Sequence, residues 1–183
     1  MSIRICLPLL FILFFSNTIN AQKVKPRLKT LPLQSLEAFQ SPASNWNIIG
    51  AAEAGYNDTI LNTAKGEGIL FNNYNRSIQF QPGRNLMTKM EHGDIVIEMD
   101  LMIPKGSNSG IYFHTVYQDK GFPDKGFEVQ VNNSHTDWKR TGGLYDIKDT
   151  RDVFVKDDVW YTEYIRVEGK HVIVKVNDQV VTD

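Results

Sequence analysis

Two short segments of the sequence combine the alternation of a β-strand with polar groups that could do acid–base chemistry. One segment reads Ile-Tyr-Phe-His and the other reads Phe-Glu-Val-Gln-Val. Successive side chains of a strand point to opposite faces, so Tyr112 and His114 share one face of the first segment. Glu128 and Gln130 share one face of the second. The pattern predicts a sheet that covers a core with its apolar face and binds a polar ligand with the other.

Glu128 is the residue that we expect to transfer a proton. It lies between apolar neighbours, and partial burial would raise its pKa toward the range useful for a general acid or base. Most glycosidases need two carboxylates beside the bond that they cleave, but the next residue on this face is the amide of Gln130. Glu98 and Asp100 could supply a second acid, but the solvated face of a strand is the explanation that we favour for them. A structural salt bridge is the alternative role for Glu128.

Histidines and cations near these strands could complete a site. His114 ends the first segment, and His135 lies in the polar loop after the second. Together with Glu128 they could hold a metal or relay a proton. Their spacing is irregular, so the sequence leaves a divalent metal open and specifies no cofactor. The candidates for stacking on a sugar or donating to its oxygens are Tyr112, Tyr145, Trp138, Lys139, Arg140 and Arg151.

Residues 1–21 have the features of a signal peptide. Arg4 precedes an almost wholly apolar run, and Ala21 ends a plausible cleavage site. The run is too short for a spanning helix, so we expect no membrane span after cleavage. The single cysteine, Cys6, lies in this segment, which leaves the mature chain without disulfides or thiolate chemistry. These features predict a periplasmic or secreted protein.

The remainder of the chain is predicted to form one domain. Residues 22–30 form a basic leader, and residues 31–183 are enough to bury a core. The formal net charge of the 183-residue chain is −1. A charge so close to neutral gives no electrostatic reason to expect a nucleic acid as partner.

Short strands separated by turn residues dominate the sequence after residue 45, which predicts an all-β sandwich or barrel. Leu31–Phe39 is the exception, because its apolar spacing favours one short helix. Residues 144–147 are expected to form a short strand. The residues expected to be buried between two sheets are Ile95, Ile97, Met99, Leu101, Ile111, Phe113, Phe127, Val129 and Val131. The sequence ends within a predicted strand, so we expect it to be a fragment that lacks C-terminal strands.

Several motifs, taken in order, resemble one known family. They are Gly-Asp-Ile-Val-Ile-Glu-Met-Asp at 93–100, Asn-Ser-Gly-Ile-Tyr-Phe at 108–113, Gly-Phe-Glu-Val-Gln-Val at 126–131 and Thr-Gly-Gly-Leu-Tyr at 141–145. Between Leu31 and Asp183 the chain resembles the 3-keto-disaccharide hydrolase domain family, which is related to the concanavalin A-like lectins and glucanases. The family often has arginine where this sequence has His114.

The resemblance implies a jelly-roll sandwich of two antiparallel sheets with a ligand groove on the concave sheet. It also implies an exported hydrolase that acts on glycosides whose sugar carries a ketone at carbon 3. Such a ketone acidifies the neighbouring C–H group, so a single base such as Glu128 could start an elimination that is followed by addition of water.

The other predicted site residues have supporting roles in this scheme. Gln130 and Tyr112 would orient sugar hydroxyls, and His135 with Arg140 would stabilise the oxyanion formed from the ketone. Strand parity and the loop after Val131 are expected to bring Glu128, Gln130, Tyr112, His114 and His135 to one groove. The alternative is a non-catalytic, lectin-like carbohydrate-binding module on the same fold, because a fold does not fix a function.

Overall fold

The computed structural model describes residues 31–40, 45–54, 61–72, 85–118 and 121–183. The regular elements in these ranges are all β-strands, as the alternation predicted. They are β1 (Phe39–Gln40), β2 (Trp46–Glu53), β3 (Asn62–Asn72), β4 (Met87–Thr88), β5 (Ile95–Leu101), β6 (Ser109–Phe113), β7 (Phe127–Val131), β8 (Tyr161–Glu168), β9 (His171–Val176) and β10 (Gln179–Thr182).

The helix predicted for Leu31–Phe39 was wrong. This segment forms turns that lead into β1, and the Phe39 N–H donates to the Leu36 carbonyl at 3.0 Å. The Leu33 carbonyl accepts a hydrogen bond from Gly68 of β3, also at 3.0 Å. A helix this short gains few internal hydrogen bonds for the cost of nucleation, so contacts with a neighbouring strand decide its conformation.

The described strands pair in antiparallel fashion and form open sheets. The largest sheet has the order β10-β9-β8-β5, and the other sheets are the pairs β6-β7, β2-β3 and β1-β4. The short strand expected at residues 144–147 is reduced to isolated bridges, in which Leu144 pairs with Val129 and with Lys148. This segment lies beside β7 as a tight turn.

The main core lies between the β6-β7 pair and the four-stranded sheet. Phe113 and Val129 pack against buried Ile165, Val167 and Val174 of β8 and β9, together with Leu144. Ile95, Ile97 and Ile111 are partly buried against the same cluster, and Leu101 packs against a second cluster around Tyr161. Two antiparallel sheets packed face to face in this way are consistent with a β-sandwich.

Phe127 was expected in this core, but its side chain is 41% exposed. Its ring stacks on Phe113, its cross-strand partner, with the centroids 5.4 Å apart. The pair stands at the end of the hairpin, so Phe113 covers one face of the Phe127 ring and the rest meets solvent. Alternation correctly predicted the face of Phe127, but it carries no information about where the opposing sheet ends.

Glu163 of β8 lies in the core, where alternation would place an apolar residue. It is wholly buried, and its cross-strand partners are Met99 and Val176. Neither of its carboxyl oxygens has a hydrogen-bond partner among the described residues. Burial raises its pKa to about 8, so the side chain is neutral at moderate pH.

The predicted signal peptide and leader, residues 1–30, lie outside the described residues. Within the ranges that the structure describes, we find no helix with the length and apolar character needed to cross a membrane.

Candidate functional site

The antiparallel pairing of β6 and β7 places Tyr112 directly opposite Glu128. The tyrosine hydroxyl donates a hydrogen bond of 2.7 Å to Oε2 of the carboxylate. Directly opposed side chains of an antiparallel pair lie close enough for such contacts. Strand parity therefore correctly predicted the shared face of these two residues.

Tyr145 extends this row on the other side of β7. Its backbone N–H donates to the Glu128 carbonyl at 2.9 Å, and its neighbour Leu144 bridges to Val129. The register of this bridge places Tyr145 next to Glu128, so Tyr112, Glu128 and Tyr145 lie on three adjacent backbone segments.

The Glu128 carboxylate occupies space that is open only because residue 110 is a glycine and has no side chain. A Cβ atom at position 110 would lie 2.0 Å from Oε1 of Glu128, far inside van der Waals contact. The side chain of Glu128 therefore lies across the backbone of β6 at this glycine. The sequence showed a glycine within a strand, but it did not reveal that a carboxylate covers it.

Gln130 lies on the same face as Glu128, but only 1% of its surface is exposed. Its amide Nε2 donates to Oδ1 of Asn108 at 3.0 Å, while its Oε1 has no partner among the described residues. A buried acceptor without a donor costs free energy, and a ligand hydroxyl that reached it would remove that cost. Gln130 is therefore a candidate hydrogen-bond acceptor at the floor of the site.

Lys139 is the cation that belongs to this row. Its ammonium lies 3.5 Å from the centroid of the Tyr145 ring and forms ion pairs with Asp146 and, at 3.7 Å, with Asp149. Burial alone would lower the pKa of Lys139, but its hydrogen bond to Asp146 and the nearby charges outweigh burial and raise the pKa. Lys139 therefore stays protonated in a nearly buried position.

The electrostatic environment of Glu128 suits a proton-transferring group. Desolvation by burial has the largest effect and raises the pKa of Glu128 above its ordinary value. The hydrogen bond from Tyr112 and the charge of Lys139 oppose this rise, while the charge of Asp137 adds to it. Groups that combine burial with specific charged partners are typical of functional sites.

The loop after β7 is organised by its own polar groups. Asn132 is buried, and its amide donates to the Lys139 carbonyl at 2.7 Å. Nδ1 of His135 accepts from the Asp137 N–H at 3.0 Å, and the Arg140 guanidinium donates to the carbonyls of His135 and Asp137. His135 and Arg140 thus meet through a backbone carbonyl, and within the described residues both serve to hold the loop.

His114 does not follow the predicted alternation. Its φ of 51° is in the left-handed region, which turns the chain away from the strand geometry of β6. Its ring meets the edges of Phe113 and Phe127, and its Nε2 donates to the Gly93 carbonyl at 3.2 Å. The prediction that His114 shares the face of Tyr112 was therefore wrong. Parity applies only while the backbone remains extended.

The cluster of His114, His135 and Glu128 is not formed in the structure. Across the described ranges, no three or more His, Cys, Asp or Glu side chains are grouped so that they could hold a metal ion. The two histidines are instead engaged in the separate local contacts described above.

The comparisons with known proteins identify one family. Residues 40–183, well over half of the chain, match the family described as the 3-keto-alpha-glucoside-1,2-lyase-like domain. Searches of curated proteins and of solved structures found no match. The family match confirms the resemblance carried by the sequence motifs and indicates a carbohydrate-active function. The chain therefore belongs to the 3-keto-alpha-glucoside-1,2-lyase-like domain family.

Proposed function

We propose that this protein is an enzyme that cleaves glycosides whose sugar carries a ketone at carbon 3, with Glu128 as the proton-transferring residue. The observation that carries the proposal is the environment of that single carboxyl group. Glu128 is half-buried, has a raised pKa, and is held by a hydrogen bond from Tyr112 beside the protonated Lys139. The family description, which names a 1,2-lyase-like activity on a 3-keto-glucoside, supports the same chemistry.

The reaction requires only one base at its first step. Glu128 removes the proton from carbon 2, which the ketone acidifies, and the electron pair of that bond passes to the ketone oxygen as an enolate. The enolate then expels the glycosidic oxygen from carbon 1, and the departing oxygen takes the proton that Glu128 accepted, which restores the base. Water adds across the resulting double bond, its hydroxyl to carbon 1 and its proton to carbon 2, and this completes the hydrolysis. General acid–base catalysis of this kind contributes typically about 100- to 10,000-fold in rate.

The surrounding residues supply positioning and charge in this proposal. Tyr112 holds Oε2 of Glu128, which leaves Oε1 as the proton acceptor, and Gln130 and Tyr145 orient sugar hydroxyls. The charge that acts on Glu128 is that of Lys139, and Arg140 and His135 are not among the groups that act on it. Lys139, although ion-paired with Asp146 and Asp149, is therefore assigned the stabilisation of the enolate in place of His135 and Arg140.

The proposal extends to the setting of the enzyme. The signal-peptide features of residues 1–21 support export to the periplasm or outside the cell. The packing of two antiparallel sheets supports a sandwich, and the jelly-roll connectivity in this proposal rests on the family resemblance.

Glu128→Gln tests the proposal, because this change keeps the shape of the side chain and removes the base. The natural full-length protein and the variant are incubated with a panel of glucosides and their 3-keto forms. We expect the variant to lose about 100- to 10,000-fold in rate on the keto substrates. Glu98→Gln, at an exposed position of β5, is the matched control and should keep the wild-type rate.

Two other outcomes would speak against this function. A folded Glu128→Gln variant with a near wild-type rate would remove Glu128 from the mechanism. If the wild-type protein cleaves no keto-glycoside but binds oligosaccharides, and the variant binds them equally well, we would instead conclude that the protein is a lectin-like binding module. The exposed Trp138 side chain beside the site is the observation that favours this second candidate.

A further inference from the structure

Trp138 is an exposed aromatic side chain that the proposed reaction does not use. It is 41% exposed, and the guanidinium carbon of Arg151 lies 4.0 Å from the centroid of its ring. Within the described part of the chain, neither the Arg151 guanidinium nor the Trp138 indole N–H makes a hydrogen bond. The pair therefore presents an aromatic surface and several hydrogen-bond donors to solvent.

Lys139 connects this pair to the candidate site. Its ammonium lies 5.9 Å from the Trp138 ring centroid and 3.5 Å from that of Tyr145, whose backbone is hydrogen-bonded to that of Glu128, and its charge acts on the Glu128 carboxyl group. The loop that carries Trp138 is fixed from within, because Asn132 donates to the carbonyls of Asp137 and Lys139. The indole is thus held beside the row that carries Glu128.

We propose that Trp138 and Arg151 form a subsite that binds the departing sugar of a disaccharide-type substrate, the part that carries no ketone. This inference rests on the proposed function, because a glycoside with its keto-sugar at Glu128 must place the other sugar beside that row. The guanidinium of Arg151 covers one face of the indole, so the other face can stack against the C–H groups of a pyranose ring and the indole N–H can donate to its hydroxyls.

The occupant is a neutral sugar. The carboxylates of the loops that carry the two subsite residues are balanced by an equal number of cations, and Lys139 is ion-paired with Asp146 and Asp149. The subsite therefore has no excess charge to attract an anionic sugar. Contact between the guanidinium and the indole also limits the freedom of both groups before the ligand arrives, which reduces the entropy lost on binding.

The proposal predicts selectivity for the leaving group. Compared with wild type, Trp138→Ala should lower kcat/KM for a 3-keto disaccharide by about 10- to 100-fold. The same variant should leave kcat/KM for a methyl 3-keto-glucoside unchanged. Trp138→Phe should restore part of the loss, and Arg151→Ala should show a smaller loss in the same direction. Trp160→Ala is the matched control, because Trp160 is also exposed, at 44%, and is not one of the site residues.

Steady-state kinetics on both substrates test the proposed subsite. If Trp138→Ala loses kcat/KM equally on the disaccharide and the methyl glycoside, or loses none on either, the subsite proposal is wrong. If the wild-type enzyme cleaves neither substrate, the proposed reaction has failed and calorimetric binding tests the subsite alone. Binding of an unoxidised disaccharide that is lost in Trp138→Ala and kept in Trp160→Ala would support it. Binding that is absent, or unchanged in Trp138→Ala, would refute it.

Discussion

The Tyr112 hydroxyl donates a 2.7 Å hydrogen bond to Oε2 of Glu128, the residue directly opposite it on the neighbouring strand. This bond stabilises the ionised form of the carboxyl group and so opposes the effect of burial, which raises the pKa of Glu128. One contact between two strands therefore both positions the carboxylate and lowers the pKa that burial raises.

Tyr112→Phe should raise the pKa of Glu128 further, because the variant lacks the bond that favours the charged form. The base is active only when ionised, so the acidic limb of the profile of kcat/KM against pH should move to higher pH. A hydrogen bond to a charged group contributes roughly 1.5–3 kcal/mol, and we expect kcat/KM to fall by about tenfold or more. An acidic limb that stays in place would show that Tyr112 does not act through Glu128.

Gly110→Ala should disable the site without unfolding the protein. The added Cβ would lie 2.0 Å from Oε1 of Glu128, so the carboxylate must leave its position. We expect a loss of about 100-fold in rate, with a stability cost of about 1–3 kcal/mol for the added methyl group. Gly93→Ala is the matched control, since a Cβ at position 93 has no neighbour within 4 Å. Equal activity of the two variants would contradict the placement of Glu128 over Gly110.

Lys139→Met should affect both stability and acid–base behaviour. The change removes the ion pairs to Asp146 and Asp149 and the contact with the Tyr145 ring. We expect a loss of about 1–3 kcal/mol in the free energy of unfolding, less than for a fully buried pair because Asp146 is exposed. The pKa of Glu128 should rise, since the positive charge that lowers it is gone.

Lys175→Met is the comparison for this prediction. Lys175 lies over Tyr164 at 5.4 Å, on the four-stranded sheet away from Glu128. The Lys175→Met variant should leave the pH profile of activity unchanged. If both lysine variants move the profile equally, the effect of Lys139 is not specific to the site. Chemical denaturation and kinetics across pH measure the two quantities.

Glu163 should make stability depend on pH. Its pKa is about 8 in the folded protein, against an ordinary value of 4.5, so the folded state binds a proton more tightly than the unfolded chain. This contribution is fully present below about pH 4.5. It falls by about 1.4 kcal/mol per pH unit as the pH rises toward 8, and it is lost above that value.

Glu163→Gln removes this titration and keeps the size of the side chain. The difference in free energy of unfolding between wild type and variant should shift in favour of the variant as the pH rises from 5 to 8. Denaturation at several pH values measures that difference, and Glu98→Gln on the solvent face of the same sheet should show no such trend. A constant difference between wild type and Glu163→Gln over this range would contradict the raised pKa.

Local sequence features were enough to predict most of the strands, the family, and the shared polar face of Tyr112 and Glu128, although the helix expected at Leu31–Phe39 was wrong. Period-two alternation is a local property of an extended chain, so it correctly predicted that Tyr112 and Glu128 lie on the polar faces of β6 and β7. It equally predicted that Val129 and Phe113 lie in the core. The ordered motifs predicted the family that the comparison over residues 40–183 then identified.

The polar groups that surround Glu128 could not be predicted from the sequence, because they depend on tertiary contacts. A positive φ ended the alternation at His114, and internal hydrogen bonds committed Arg140 to its own loop. The same loop brought Lys139 over Tyr145, a contact that residue spacing does not encode. Loop conformation depends on hydrogen bonds and packing between segments distant in sequence, whereas strand parity depends on neighbouring residues alone. Parity therefore predicted the sheet face that carries the candidate site. Loop packing determined which loop residues lie beside Glu128 on that face.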